Sequence, residues 1–329
     1  MEKLNPVSEA IILGDSHFGK NKFSLDVYQD QMDFYQEQFF PYILSSGATT
    51  VISLGDLFDN RTVQDVNILL KVMKDFFYWF EQNRIDFYII MGNHDSYFNN
   101  NLDVSTLFLF EHLNYIHIIK KDSLMNIGGV EWQLTPWIFK GGTFDLKSDY
   151  VMGHFEINGF KMSKSHTCSA GAEVDSFKNC KKVLSGHFHL KQEKGPILYV
   201  GTPYGLDWND VNSEKGFYHL KGEEISFHEN IISKQYIETK YYDGSYHIKD
   251  AIIEQSEIEE LIEKHHVRIK TDDADLQIGE DSVSLIIDIE ESSPDIAEDL
   301  DVETFIVDSL TKSGFKRFNQ LEREIINNG

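Results

Sequence analysis

The ten residues VISLGDLFDN, Val51–Asn60, decide the fold: an apolar, β-branched run stops at a glycine and a carboxylate follows at once. The run has the length and composition of a buried strand, and the glycine permits a tight turn, so the charged side chain is delivered to the edge of a sheet. The same construction recurs as AIILGDSH (10–17), FYIIMGNHD (87–95), YVMGH (150–154) and KVLSGHFH (182–189). Strands are predicted at Glu9–Leu13, Thr50–Leu54 and Asp86–Met91, with amphipathic helices between them at Leu25–Leu44 and Val63–Glu81. A short helix is predicted at Val104–His112, and then short strands at Ile116–Lys120, Val130–Thr135, Asp149–Met152, Lys182–Leu184, Ile197–Val200 and Gly216–Leu220. Alternation of this kind is the pattern of an α/β domain, with two sheets faced by helices.

Past Ile225 the pattern changes to a strand, an acidic helix at Ser256–His265 and two strands at Val267–Lys270 and Ser282–Ile289, with none of the glycine-carboxylate motifs. Ser292, Ser293 and Pro294 then break the chain before a helical tail. Three parts are expected: a catalytic domain over 1–225, a small α+β cap over 226–291 and a tail over 292–329.

The five motif loops collect Asp15, His17, Asp56, Asn93, His154, His187 and His189. Carboxylate, imidazole and amide oxygen without thiolate suit Mn²⁺, Fe²⁺ or Zn²⁺ and exclude the sulfur-rich structural zinc class. In Asp15-x-His17 and His187-x-His189 a period of two on extended backbone turns both side chains to one face, so each pair is expected to address one site. Asp56 is the natural bridging carboxylate for two ions about 3.5–4 Å apart, a spacing that clamps the attacking and leaving oxygens of a phosphate ester. Each motif alone is weak, since a histidine after a strand is more often structural than a ligand; five in this order are not a coincidence. The eight histidines outside the motifs, such as His117, His219 and His228, are read as structural or surface groups.

Composition sets a counterweight. The 329 residues carry 30 basic and 54 acidic side chains, net −24, where phosphate binding is usually supplied by Lys and Arg. Residues 221–329 hold 11 basic and 27 acidic groups, leaving 19 and 27 for residues 1–220, so most of the excess lies outside the motif-bearing part. There, carboxylates that ligate cations invert the local sign. Cys168 and Cys180 are too few for a disulfide framework and are read as inert thiols. No signal-like start and no apolar run of membrane-spanning length is seen, and a cytoplasmic, non-membrane protein is expected.

The ordered set DxH, GDxxD, GNH(D), H, GHxH over residues 11–205 resembles the calcineurin-like metallophosphoesterase signature. More narrowly, GDSHFGK, GDLFDNR, MGNHDSYFNN, VLSGHFH and YVGTPYGLDW resemble the SbcD nuclease family, partners of the ATPase SbcC. GHFEINGF together with SGHFH…YVGTP is similar to the phage recombination-endonuclease subunits of that family. The resemblance implies a four-layer α/β/β/α sandwich and a metal-dependent DNA exonuclease or endonuclease with two divalent ions, foremost Mn²⁺, with Mg²⁺, Fe²⁺ or Zn²⁺ as alternatives. It implies Asp15, His17, Asp56 and His189 around one ion, and Asp56, Asn93, His154 and His187 around the other. It also implies His94 as the catalytic histidine, with Asp59 orienting it. The alternative is a phosphatase or nucleotide phosphodiesterase of the same fold, because a fold does not fix the substrate.

Two assemblies are expected. A homodimer is suggested by Leu69, Leu70, Met73, Phe76, Phe77 and Phe80 on one helix and by Leu107, Phe108 and Phe110 after the GNHD loop. In the tail, Val302, Phe305, Ile306 and Leu310 share one helical face, and Phe318, Leu321 and Ile325 continue it past Gly314. Two short amphipathic helices cannot bury both stripes on each other, so either the chain's own cap domain or a partner covers them. The resemblance implies that the partner is the coiled-coil base of an SbcC-like ATPase, which would also supply the basic DNA surface that this chain lacks.

Overall fold

The computed structural model describes residues 1–139, 142, 144–248 and 251–271, and the backbone of 283–287. Two sheets stack face to face. The first runs β2 (Ala10–Leu13), β3 (Thr50–Ser53), β4 (Asp86–Ile90) and β5 (Ile116–Ile119) in parallel, and β12 (Gly216–Lys221) and β13 (Glu224–Glu229) extend it antiparallel beyond β2. In the second, β7 (Val130–Thr135), β8 (Tyr150–His154), β9 (Lys182–Gly186) and β11 (Ile197–Tyr199) are parallel, flanked by β1 (Glu2–Lys3) and β6 (Ser123–Ile127) on one side and β10 (Gln192–Lys194) on the other. The expected α/β sandwich is present, and the strands fall within a residue or two of their predicted bounds. The strand β13 runs across residue 225 as part of the first sheet.

Three cores hold these layers. Between the sheets lie Ile12, Ile52, Leu54, Ile90, Trp132, Leu134, Met152, Leu184 and Leu220, with the Trp132 ring N–H donating to the Gly222 carbonyl at 3.2 Å. Burying each such side chain contributes about 1.5–3 kcal/mol. The outer face of the first sheet is covered by two helical rods. One is α1 (Leu25–Phe34) continuing into α2 (Phe40–Ser46); the other is α3 (Val66–Lys71) continuing into α4 (Tyr78–Asn83). The first rod is capped by Ser24 and the second by Asp65, whose carboxylate takes the N–H groups of Asn67 and Ile68. Each rod passes through one wide turn, Tyr35–Phe39 and Val72–Phe77, of the i→i+5 kind that marks packing or functional constraint. Both turns deliver aromatic rings, Tyr35, Phe39, Phe76 and Phe77, to one dense cluster.

The outer face of the second sheet is covered differently from the helical layer expected. Among the described residues, irregular chain with one short turn at Val174–Phe177 lies over it, packing Phe155, Ile157, Phe160 and Phe177 on Val151, Val183 and Tyr199. The segment predicted as a helix at Val104–His112 is a tight 3₁₀ turn, Thr106–Phe110.

A third, five-stranded sheet follows in the order β16 (Ala251–Ile253), β15 (Ser245–Ile248), β14 (Tyr236–Tyr242), β17 (His266–Thr271) and β18 (Val283–Ile287). The helix α5 (Gln255–Lys264) buries Ile258 and Ile262 against Ile237, Val267 and Ile269. This unit has two more strands than the predicted β-α-β-β: the turn Asp243-Gly244, with φ of 52° and 75°, folds β14 and β15 into a hairpin. Residues 292–329, where the docking tail is predicted, lie outside the described residues.

A candidate two-metal centre

The parallel strands β2, β3, β4, β8 and β9 all end at one rim of the sandwich, the place where open α/β sheets bring side chains together. Two donor groups form there. Asp15, His17 and His189 make one, and Asp56, His154 and His187 the other; within each, one ligand atom per residue lies within 4.8 Å of the others. Each group takes donors from both sheets. The expectation from sequence spacing that His187 and His189 address one site is corrected by the backbone: His187 sits at φ 88°, outside the extended region, so the two rings part into different groups. His17 (φ 48°) and Asp56 (φ 51°) are left-handed as well, a conformation that costs non-glycine residues on the order of 1–3 kcal/mol and clusters at functional sites.

The second group is the more informative. The His154 Nδ1 lies 2.8 Å from the Leu54 carbonyl, to which it donates, so in the neutral ring Nε2 is a bare lone pair. That lone pair faces Asp56 Oδ2 at 3.2 Å and Asn93 Oδ1 at 2.9 Å, and Asn93 Oδ1 lies 2.9 Å from His187 Nδ1. Converging acceptors of this kind call for a proton or a cation. In the first group the Nε2 atoms of His17 and His189 are 3.1 Å apart, and the Asp15 carboxylate accepts the His187 backbone N–H at 3.0 Å. His187 therefore joins the groups, its main chain on Asp15 and its ring beside Asp56. Glycine is required by close approach: a Cβ on Gly92 would stand 2.2 Å from Asp56 Oδ1, and one on Gly186 2.6 Å from Asp15 Oδ1. The donor chemistry, the bare lone pairs and the cradle fit two divalent cations.

Charge balance without cations points the same way. Burial alone would lower His154, but Asp56 and Asp15 beside it push it up to about 9. Burial works against Asp56 too, yet His154 holds its carboxyl well below the usual carboxylate range. Burial, with Asp56 nearby, raises Asp15. Burial takes His187 down to about 3, helped by His154, and lowers His189, helped by His17. Without cations the shifts favour a proton on His154 and on Asp15, which a cation there would displace.

His94 lies half-buried at the edge of this centre, 5.0 Å ring to ring from His17, with its backbone N–H on Asp56 Oδ1 at 2.8 Å. Its Nδ1 hydrogen-bonds to the main-chain carbonyl of Asp59. The Asp59 carboxylate points elsewhere, 3.3 Å from His17 Nδ1 and 3.5 Å from Lys20 Nζ. Asp59 thus meets His94 through its backbone and a ligand through its side chain. A cleft of about 340 Å³ opens beyond, lined by Asp59, Asn60, Arg61, Thr62, Asn93 and His94.

Two neighbours escaped the sequence reading. Asp95 is buried and accepts the backbone N–H groups of Asp56 (2.8 Å), Gly92 (2.9 Å) and Leu57 (3.0 Å), pinning the GD loop to the GNH loop; burial and the charge of Asp56 push it up to about 6 against the pull of the Gly92 and Asp56 donors and of His154. Its place in GNHD was the available signal. The Trp137 ring packs edge-on to His154 at 5.8 Å and tilted to His187 at 5.1 Å, and nothing local in the sequence marked it. Behind the first group, Ser16 bonds to Tyr35 Oη at 2.8 Å, and its carbonyl accepts from Tyr204 Oη and Gln31 Nε2, so the aromatic core fixes the Asp15–His17 loop.

Residues 10–191 match the model of the family described as calcineurin-like phosphoesterase. Exonuclease subunit 1 of Enterobacteria phage T4 is 30% identical over 223 residues, 64% of this chain and 64% of that protein, so the match spans less than two thirds of the phage protein's length. The crystal structure of Pseudomonas putida nuclease MPE matches at a TM-score of 0.29 and 16% identity, covering 67% of this chain and 87% of that one. The matched stretch takes in more than half of the chain and every residue of both donor groups, and with the rim geometry it makes the chain a member of the calcineurin-like phosphoesterase family.

Proposed function

We propose that the chain is a two-metal phosphodiesterase cleaving DNA as the nuclease subunit of an SbcCD-like recombination and repair complex. The observation that carries the reading is the pair of adjoining donor groups joined through His187. Two divalent cations, Mn²⁺ in our reading, would be held by Asp15, His17 and His189 and by Asp56, Asn93, His154 and His187, and when bound they supply charge neutralisation for a phosphate ester and a water acidified toward neutral pH. The chain's own residues do the rest. Asp56 would hold both ions as their shared carboxylate, and its Oδ1 accepts the His94 backbone N–H. With Nδ1–H of His94 donating to the Asp59 carbonyl, the doubly protonated ring carries an Nε2–H at the cleft to give to the leaving oxygen, and returns to the neutral ring in doing so.

DNA as substrate rests on the phage relative, whose name marks it as one subunit of an exonuclease. That name also supports a partner, for which the SbcC-like ATPase and the tail 292–329 remain our assignment. A homodimer is part of the proposal, and of the residues named for it from sequence Leu70 stays exposed while most of the others do not. Phe76, Phe77, Phe80, Leu107 and Phe110 are buried in the chain's own core, whereas Val63, Val66, Leu70 and Leu109 are exposed. No helix among the described residues is long and apolar enough to cross a membrane, and we place the protein in the cytoplasm.

The test is the purified chain with Mn²⁺ on end-labelled single- and double-stranded DNA, against p-nitrophenyl phosphate and phosphopeptides. Cleavage of DNA that EDTA abolishes is expected. Turnover of the monoesters with DNA left intact refutes the DNA reading in favour of a phosphatase.

A further inference from the structure

Lys215 is a buried lysine that the two-metal chemistry does not use. Its ammonium makes three hydrogen bonds of 2.8 Å, one to each of three loops: the main-chain carbonyl of His189, the Thr202 hydroxyl, and Asp210 Oδ1. Three acceptors exhaust an ammonium's donors. The acceptors are themselves tied. Asp210 Oδ2 takes the Leu206 N–H at 2.8 Å, the Thr202 hydroxyl donates to the Tyr204 carbonyl at 2.8 Å, and the Thr202 N–H returns to the His189 carbonyl at 3.2 Å. Tyr204 in turn reaches forward to the Ser16 carbonyl, between the ligands Asp15 and His17. One buried node therefore stands behind all three residues of one donor group, and none of these bonds reaches Asp56, His154 or Asn93.

A buried ion pair is weak evidence for stability, since an apolar pair of equal volume often does as well. It is strong where it fixes register, and outer groups that orient ligands typically govern metal affinity by 10–100-fold. We propose that the Lys215–Asp210 pair is a positioning device that sets His189, and through Thr202 and Tyr204 the Asp15–His17 turn, for a divalent cation, and that it acts selectively on this group. The inference rests on the two-metal reading above and deepens it: the two subsites are supported separately, one by this node and the other by Asp95 and the Leu54 carbonyl.

The experiment measures Mn²⁺ binding by calorimetry on the full chain stripped of metal, in two backgrounds. His187→Ala disables the second group and leaves the first to be read; His189→Ala does the reverse. Into each goes the pair Lys215→Met with Asp210→Asn. Removing both charges together keeps the net charge near the site constant and strands no buried ion, so positioning is what the isotherm reports. The dissociation constant is expected to rise at least tenfold in the His187→Ala background and to stay within threefold in the other. Unchanged affinity in both backgrounds overturns the proposal, and so does an equal loss in both, which would make the pair a strut for the whole rim. Thr202→Val, which removes one acceptor and no charge, covers the case of a double variant that does not fold; it is expected to weaken the same background alone, by threefold or more, and no selective effect there also overturns the proposal. If the unaltered chain binds no Mn²⁺ at all, the two-metal reading itself has failed.

Discussion

Replacing Asp95 with asparagine tests how far the site is held by one carboxylate that touches no substrate. Oδ2 serves Asp56 and Gly92, and Oδ1 serves Leu57, all through backbone N–H groups inside the fold. Asparagine keeps one acceptor oxygen and sets an NH₂ where the other stood, so whichever way the amide turns at least one N–H faces a donor. The lost charge-assisted bond is worth about 1.5–3 kcal/mol, and the N–H left without a partner costs about 1–3 kcal/mol more. Relief of repulsion from Asp56 offsets part of this, because that repulsion helps to raise Asp95. A net loss of about 3 kcal/mol is expected in the presence of Mn²⁺, which for a chain of this size lowers the melting temperature by roughly 4 °C. The loops that Asp95 pins carry Asp56 and Asn93, so Mn²⁺ affinity should fall at least tenfold. Thermal unfolding by circular dichroism and a Mn²⁺ isotherm read the two effects. A variant that melts within 1 °C of the parent and binds Mn²⁺ unchanged would show that the three bonds do not hold the loops, and the reasoning would be refuted.

Other outcomes are expected from the same geometry. His94→Ala should retain both cations by isotherm and lose about 10²–10⁴-fold in kcat on DNA, the usual weight of a proton donor; near-parental turnover would remove His94 from the chemistry. In EDTA, stability should depend on pH through His154: its folded value of about 9 lies above the ordinary 6.5, so its contribution is complete below pH 6.5 and is lost as pH rises through 9, by up to about 3 kcal/mol. With saturating Mn²⁺ the cation displaces that proton and the trend over pH 6.5–9 should flatten or reverse; parallel curves with and without Mn²⁺ would count against a cation at His154. Val66→Asp with Leu70→Asp, both exposed in the single chain, should halve the mass seen by light scattering at micromolar concentration without lowering the melting temperature by more than a few degrees. An unaltered mass places any self-association elsewhere.

The donor residues were legible because metal chemistry is written locally, in strand, glycine and ligand, and five such units survive without any knowledge of how the sheets stack. Strands were legible for the same reason: β2, β3 and β4 have apolar, largely β-branched or aromatic centres buried on both faces. What was not legible depends on long-range contact. The division of His187 from His189 was legible through the family resemblance alone: it follows from one left-handed residue, and nothing in the spacing of GHFH distinguishes that from extended backbone. Asp95 and Lys215 act on main-chain groups up to 39 residues away, and main-chain partners leave no mark on composition. The β14–β15 hairpin carried its own sign, Asp243-Gly244, inside a stretch otherwise read as one strand. The helix predicted at Val104–His112 became a 3₁₀ turn because Phe110 and Leu107 point into a cluster already crowded by Phe58 and Phe77, and packing overrode propensity.

The left-handed backbone at His17, Asp56 and His187 bears on more than geometry. Three residues held against their local preference, on loops drawn from two sheets, concentrate backbone strain at one end of the sandwich, and a bound cation would hold the loops that carry it. Chelation should leave the strands untouched and let these loops open by themselves, so amide hydrogen exchange at residues 15–17, 56–57 and 187–189 should accelerate well before any strand does. Cation binding then includes the work of closing the loops, so the measured affinity is the intrinsic one reduced by the fraction of molecules already closed. A substitution far from the rim that favours the closed loops would tighten the metal without touching a ligand.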